Sequence, residues 1–381
     1  MSSLSRIDQK VSFKSMTIPG VFKGYIPVLD GLRGISILFV VFAHARYSNG
    51  SPGWLKWIAR FVDTGNLGVQ IFFVISGFLI TGLLLKEKLR TGTVSLKGFY
   101  WRRFLRIFPV FYFFLLTVLV LSATGVAAPV EGRKFIAPLF YFTNFAYGNL
   151  NTGWYLGHTW SLAIEEQFYL LWPLLLLLMT NIRWRYLVVV LLIHATVKVI
   201  SLYDFEWSRW LLNPFLTYAP LLLSGALLAF LAYSREEELK KFLAKFGLPW
   251  LALIFIVEFA IETAYGHQRF VAELTPIIHI LSSLVLFICV GHVVFINDKL
   301  NAWINNKPLV FIGKLSYSWY IWQQIFMTQD GDYFFKGALS VLNQFPVNIL
   351  ASFAAACLSY YTVEKFFLKF KHNAVAIPQT A

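Results

Sequence analysis

The sequence predicts an all-α membrane protein, a helical bundle of about ten transmembrane helices with both termini on the cytoplasmic side. The first observation behind this is composition. Of 381 residues, 58% are apolar and 14% charged, where a soluble chain carries about 25% charged residues to cover a water-facing surface. The second is that long apolar stretches recur, giving a mean hydropathy of +0.63. Each is long enough to cross the roughly 30 Å hydrocarbon core as a helix. The third is the 18% aromatic content, which suits the two membrane interfaces where Trp and Tyr gather.

Taken in order, the spans are expected at 26–46, 67–85, 104–122, 161–180, 186–203, 211–232, 248–265, 276–296, 308–327 and 346–367. Pro27 suits the first turn of the first span, where its missing N–H costs nothing. The stretch before it is too long and polar for a signal-peptide n-region, so the first span is expected to be retained. A weaker segment, 135–147, contains Pro138 and Asn144 and is too short to span. It is expected to be re-entrant or interfacial, with its backbone covered by protein or water.

Basic residues set the orientation. Ten spans from an inner amino terminus put Lys86, Lys88, Arg90, Arg102, Arg103, Arg106, Lys240, Lys241 and Lys245 inside, and only scattered cations such as Arg46, Lys56 and Arg133 outside. An eleventh span would turn the later clusters outward. The expected organisation is a cytoplasmic tail at 1–25, a membrane domain at 26–371 and a second tail at 372–381, with no soluble domain and no tandem repeat. The net charge of +14 then reflects positive-inside bias and membrane lipid rather than nucleic acid. Cys289 and Cys357 lie in apolar stretches and imply neither a disulfide framework nor a metal site.

The first span carries the chemistry. Arg33 and His44 are eleven residues apart, which returns them to nearly the same helix face about 16 Å apart along the axis. Ionisable residues in a span are costly, usually face the protein interior and mark a function. The plainer alternative pairs Arg33 with Asp30 and leaves His44 as a polar cap at the outer interface.

This opening, with FFVISGFLIT (72–81), YWRRFLRIFP (100–109), WSLAIEEQFYLLWP (160–173), IGKLSYSWYIWQ (312–323) and SYYTVEKFFL (359–368), resembles the acyltransferase 3 family of integral membrane acyltransferases. The resemblance implies an O-acetylase-like enzyme of the bacterial plasma (inner) membrane. It implies acyl-CoA, above all acetyl-CoA, as the donor substrate and a saccharide or glycosylated small molecule as acceptor, with no permanently bound cofactor.

Site residues follow. Arg103 and Arg106 are i, i+3 neighbours able to clamp a phosphate of the donor between two guanidinium groups, with Arg102 beside them. The bland alternative is an arginine cluster that fixes topology or holds anionic lipid. Glu165, the first carboxylate of its pair, is expected to hold the His44 tautomer or take the acceptor's proton, whereas Glu166 suits the positive helix end. His44 itself either attacks the thioester and carries the acyl group, or acts as general base for direct attack by the acceptor hydroxyl. Arg33 would stabilise donor phosphate or developing thioester charge.

The candidate substrate-contacting residues are Asp30, Ser76, Gly77, Tyr317, Tyr320 and Gln323, although helix packing explains Ser76–Gly77 equally well. Gln323 stands where the family usually has His, so this position cannot serve as an acid or base. Phe366 likewise replaces the family's usual Pro after Glu364–Lys365. His194, His279 and His292 read as satisfied interior residues. Two rival functions remain open: a transporter or flippase for a saccharide or lipid-linked intermediate, and a non-catalytic membrane scaffold.

Overall fold

A computed structural model describes residues 16–58, 64–146, 151–178, 217–253, 256, 269–328 and 333–372. The described residues are α-helical with no β-strand, and one isolated bridge joins Ala127 to Phe335. Eight long helices are named here: α1 (Pro27–Ala45), α2 (Thr64–Thr91), α3 (Leu96–Ala123), α4 (Thr159–Leu178), α5 (Ala219–Leu243), α6 (Arg269–Phe295), α7 (Lys307–Gln323) and α8 (Val347–Ser359). A π turn, Tyr360–Glu364, carries α8 into a final turn, Lys365–Leu368. The expected span 186–203 and most of 248–265 lie outside the described residues.

Local signals set the helix starts. Pro27 opens α1. The Ser95 side chain accepts from the Gly98 N–H at the start of α3, and Asn306 accepts from Leu309 at the start of α7. Among the described residues α1, α2 and α3 are each long and apolar enough to cross a membrane, and a fourth span is formed if Gly337–Asn343 and Val347–Lys371, bent by 90°, count as one. Several helices outrun their expected limits. The second, for example, continues past 85 through Lys86–Arg90, because straight-chain charged residues extend a helix into water without breaking it.

α2 is surrounded by protein along most of its length, whereas α3 exposes Phe113, Leu116, Leu119 and Val120. α4 likewise exposes Leu170, Leu171, Leu174 and Leu175. Apolar stripes of this kind face lipid in a membrane protein.

α1 packs closely on α7 and on α2. A Cβ at Gly313 would lie 1.7 Å from the Asp30 carbonyl oxygen, and one at Gly34 would lie 2.3 Å from that of Leu309. Only glycine admits such backbone approach. Gln323 meets His44 farther along, so α1 and α7 run in the same direction. α2 runs opposite to α1: Thr64 donates to the Phe39 carbonyl, while Gly82 at the other end lies against the Phe22 ring that precedes α1. The bundle therefore has one end marked by Phe22, Lys86 and Arg103 and another marked by His44.

The segment expected not to cross consists of three short turns, Gly132–Phe135, Ile136–Leu139 and Thr143–Phe145. Its Tyr141 ring stacks on Phe111 and lies near Phe108, at the middle of α3. Tyr112 donates to the Leu139 carbonyl at 2.8 Å, Gln167 to the Tyr141 carbonyl at 3.0 Å, and Gln167 also pairs with the Asn144 amide. The segment thus enters to mid-bundle depth with side chains covering its backbone, as irregular chain at that depth requires.

Candidate active site

Arg33 projects from α1 into a cavity of about 380 Å³ bounded by α1, α2, α3, α7 and the π turn. Lys86, Arg103, Arg106 and Lys314 line the same cavity, together with the carboxylates of Asp30 and Glu364. Five cations against two carboxylates give this cavity a net positive field. The Arg33 Nε is buried and has no hydrogen-bond partner, and a buried donor left in this state is a standing energetic cost that an arriving acceptor removes. The simple Arg33–Asp30 pair does not form. Asp30 instead accepts from the Tyr25 hydroxyl, and no Arg33 ion pair within 4.0 Å occurs among the described residues.

The three arginines of α3 separate. Arg103 lies over the Tyr169 ring at 4.7 Å, and Arg106 turns into the cavity. Arg102 leaves the site and pairs with Glu87 at 3.1 Å, because successive helix positions point about 100° apart. Lys86, read from sequence as an ordinary inner-face lysine, borders the cavity and donates to the Phe22 carbonyl at 2.6 Å. Lys314 and the cavity-facing position of Glu364 were not foreseen. Lys314 is the single lysine in the interior of the mostly apolar α7, and only the parallel packing of α1 and α7 brings it to this cavity.

A second, smaller cavity of about 50 Å³ shares Arg33 as a wall and is closed by Ser161, Glu165, Tyr317 and Tyr320. Glu165 Oε1 accepts from the hydroxyls of Ser76 and Tyr169. The expected Glu165–His44 pairing gives way to this arrangement, since Glu165 lies two turns into α4, at the level of Arg33 rather than of His44. Tyr317 donates to the Ile107 carbonyl at 2.7 Å, and Tyr320 donates to the His158 carbonyl at 3.0 Å while meeting the Ser161 hydroxyl at 2.6 Å. Gly77 borders neither cavity. A Cβ there would lie 1.9 Å from the Leu222 carbonyl oxygen, so this glycine permits the α2–α5 crossing.

His44 occupies the last turn of α1. Its Nδ1 lies 2.9 Å from the Gln323 Oε1, and its ring meets Trp154 edge-on at 5.5 Å. Gln323 is fully buried and sits one helical turn beyond Tyr320. One face of α7 thus runs from Tyr317 beside Arg33, through Tyr320, to Gln323 beside His44. His158 and Trp154 were missed from sequence. His158 is buried beside Tyr320, with Nε2 on the Ile321 carbonyl at 3.1 Å and Nδ1 unpartnered. The available signal was a histidine one residue before an amphipathic helix start. His292 bridges the Leu243 carbonyl and Asp298, as an interior residue would. His194 and the side chain of His279 lie outside the described residues. No group of three or more His, Cys, Asp or Glu side chains able to hold a metal occurs among the described residues.

Residues 26–364 match the family model described as an acyltransferase domain. O-acetyltransferase OatA from Staphylococcus aureus strain NCTC 8325 is 31% identical over 367 residues, which is 89% of this chain and 57% of that protein. SACOL0978 from Staphylococcus aureus strain COL, which carries an O-acetyltransferase name, is 31% identical over 371 residues, 91% of this chain and 58% of that protein. The chain therefore spans less than two thirds of these curated relatives. No solved structure matches it. With the model match covering most of the sequence, the chain belongs to the acyltransferase 3 family of membrane acyltransferases.

Proposed function

We propose that this protein is an integral membrane O-acetyltransferase of the bacterial plasma membrane, taking the acyl group from acetyl-CoA and passing it to a hydroxyl of a cell-envelope glycan or glycosylated small molecule. The observation that carries this reading is the placement of two unlike sites on one helix. A five-cation cavity surrounds Arg33, and an imidazole stands eleven residues away at the opposite end of α1. Ten spans with cytoplasmic termini would put the basic end inside, where acyl-CoA is made, and His44 outside, where envelope glycans are.

In this reading the phosphates of the donor are held by Arg103 and Arg106, aided by Lys86 and Lys314. The pantetheine arm extends past Arg33 along the Tyr317–Tyr320 face of α7. Arg33, whose Nε is buried and unpartnered, is placed to stabilise charge on donor phosphate or thioester oxygen. Glu165 keeps Ser76 and Tyr169 in position and offsets the charge of the neighbouring arginines. At His44 the acceptor oxygen bonds to the acyl carbon as the carbon–sulfur bond breaks. The hydroxyl proton passes to the imidazole and then to the departing thiolate. Alternatively the imidazole takes the acyl group first, the thiolate leaves, and the acceptor hydroxyl regenerates the ring while its proton goes to the thiolate.

The deciding experiment is mass spectrometry of envelope glycans and secreted metabolites from a deletion strain complemented with wild type or His44→Ala. An O-acetyl group restored by wild type but not by a stably inserted His44→Ala variant is expected. Full restoration by His44→Ala would remove His44 from the reaction, and loss of a translocated species without loss of any ester would indicate transport instead.

A further inference from the structure

One of the positions at which this chain departs from its family's usual pattern, Gln323, touches His44 itself. Gln323 is completely buried, and its amide nitrogen donates to the Gln324 Oε1 at 2.9 Å. With the nitrogen so engaged, the amide oxygen is the atom facing His44 Nδ1 at 2.9 Å. A neutral imidazole has one N–H, and the hydrogen bond at one ring nitrogen decides which nitrogen carries it. An amide oxygen only accepts, so the hydrogen belongs on Nδ1. Trp154 limits rotation of the ring: it lies edge-on to His44, and its own Nε1 is anchored to the Met327 carbonyl at 3.0 Å.

We propose that Gln323 is a positioning residue that fixes the His44 tautomer, holding hydrogen on Nδ1 and making Nε2 the nitrogen that reacts. This rests on the reading of His44 as the reacting group. It also gives Gln323 a different task from contacting the acceptor. Glu165 is engaged by Ser76 and Tyr169, and the amide performs the orienting work that a carboxylate performs in other imidazole-based sites. In either transfer route the Nε2 lone pair takes the proton or forms the bond to the acyl carbon, and the Nδ1–H···O=C contact persists throughout. Because an amide does not titrate near neutral pH, this orientation holds across the working pH range.

The test is ¹⁵N NMR of the full-length protein in detergent micelles, labelled in its histidine rings. The chain has seven histidines, so the His44 signals are assigned by their loss in His44→Gln. Wild type is expected to show a protonated Nδ1 and an unprotonated Nε2. In Gln323→Leu the Nε2–H form is expected to become the majority, and Gln323→Glu, which restores an acceptor at Nδ1, is expected to return the ring to the Nδ1–H form. Wild type carrying its hydrogen on Nε2 overturns the proposal, as does a Gln323→Leu ring with an unchanged tautomer. The wild-type spectrum is decisive alone if a variant does not fold. No acyl substrate is present, so a failure here is separate from a failure of the acetyltransferase reading, which the glycan analysis judges.

Discussion

The guanidinium carbon of Arg103 lies over the ring of Tyr169, 4.7 Å from its centroid, and the hydroxyl of that same tyrosine is hydrogen-bonded to Glu165. A cation of the basic cavity is thereby held in place by an aromatic face whose far edge belongs to the carboxylate site. A stacked guanidinium keeps its fork of donors available for a second partner, which an ammonium in the same place does not. Arg103→Ala is therefore expected to weaken acetyl-CoA binding about tenfold to a hundredfold, the effect of losing charge-assisted hydrogen bonds. Arg103→Lys recovers only part of this. Arg102→Ala, whose guanidinium is spent on Glu87, should change affinity by less than about threefold. Acetyl-CoA-dependent thermal stabilisation of the purified protein measures all three, and equal stabilisation of wild type and Arg103→Ala would contradict the clamp.

Glu165 accepts from two hydroxyls at once. Glu165→Gln keeps the shape and an acceptor oxygen but removes the charge beside Arg33 and Arg103. Transfer is expected to fall roughly tenfold to a hundredfold, the cost of replacing a charged acceptor by a neutral one in buried hydrogen bonds. Ser76→Ala, which removes one neutral donor, should cost about tenfold at most. In vivo ester content of the acceptor, compared at matched membrane expression, gives the ratio. A Ser76→Ala loss as large as that of Glu165→Gln would mean that the hydroxyl itself is reactive.

The parts legible in the sequence were those written in local pattern. Apolar length marked the described spans, and the i, i+3 spacing separated Arg103 and Arg106 from their neighbours. The eleven-residue interval placed Arg33 and His44 on one face. What sequence could not supply was which helices meet. Glu165 was expected to hold the His44 tautomer or to take the acceptor's proton, but nearly two turns of helix carry it to the Arg33 level. Gln323 was read as a lost acid–base residue and turns out to touch His44. Gly77 was read equally as channel or packing, and the carbonyl of Leu222, 145 positions away in the chain, decides for packing. His158 lacked any periodic signal at all.

Asp298, in the connection after α6, provides a pH-dependent contact outside the spans. Burial alone would raise its carboxyl pKa, but the Asn301 N–H and the His292 ring outweigh burial and hold it below the usual range. A group whose folded value lies below its unfolded value stabilises the fold above the unfolded value and loses that contribution as pH falls through the folded one. The wild-type melting temperature should therefore drop below about pH 4, partly through this residue. Asp298→Asn keeps a helix-capping oxygen yet cannot titrate, so the difference between wild type and variant should shrink as pH is lowered through that window. A difference that stays constant from pH 7 to pH 3 would mean that the charge of Asp298 is not what stabilises the connection.

Gly77 sits where α2 crosses α5, in a sequence motif next to Ser76, which borders the basic cavity. If the glycine serves the crossing, enlarging it must damage the fold rather than the donor site. An added methyl would lie 1.9 Å from the Leu222 carbonyl oxygen, which forces the helices apart and costs about 1–3 kcal/mol by overpacking. Gly77→Ala is expected to lower the thermal stability of the purified protein while the surviving folded fraction keeps its acetyl-CoA affinity. Gly225→Ala should behave alike, since its Cβ would meet the Val74 carbonyl oxygen at 2.0 Å from the opposite helix. Size-exclusion profiles with donor titration on the same samples separate the two effects. A Gly77→Ala protein with unchanged stability and weakened acetyl-CoA binding would return this residue to the substrate path.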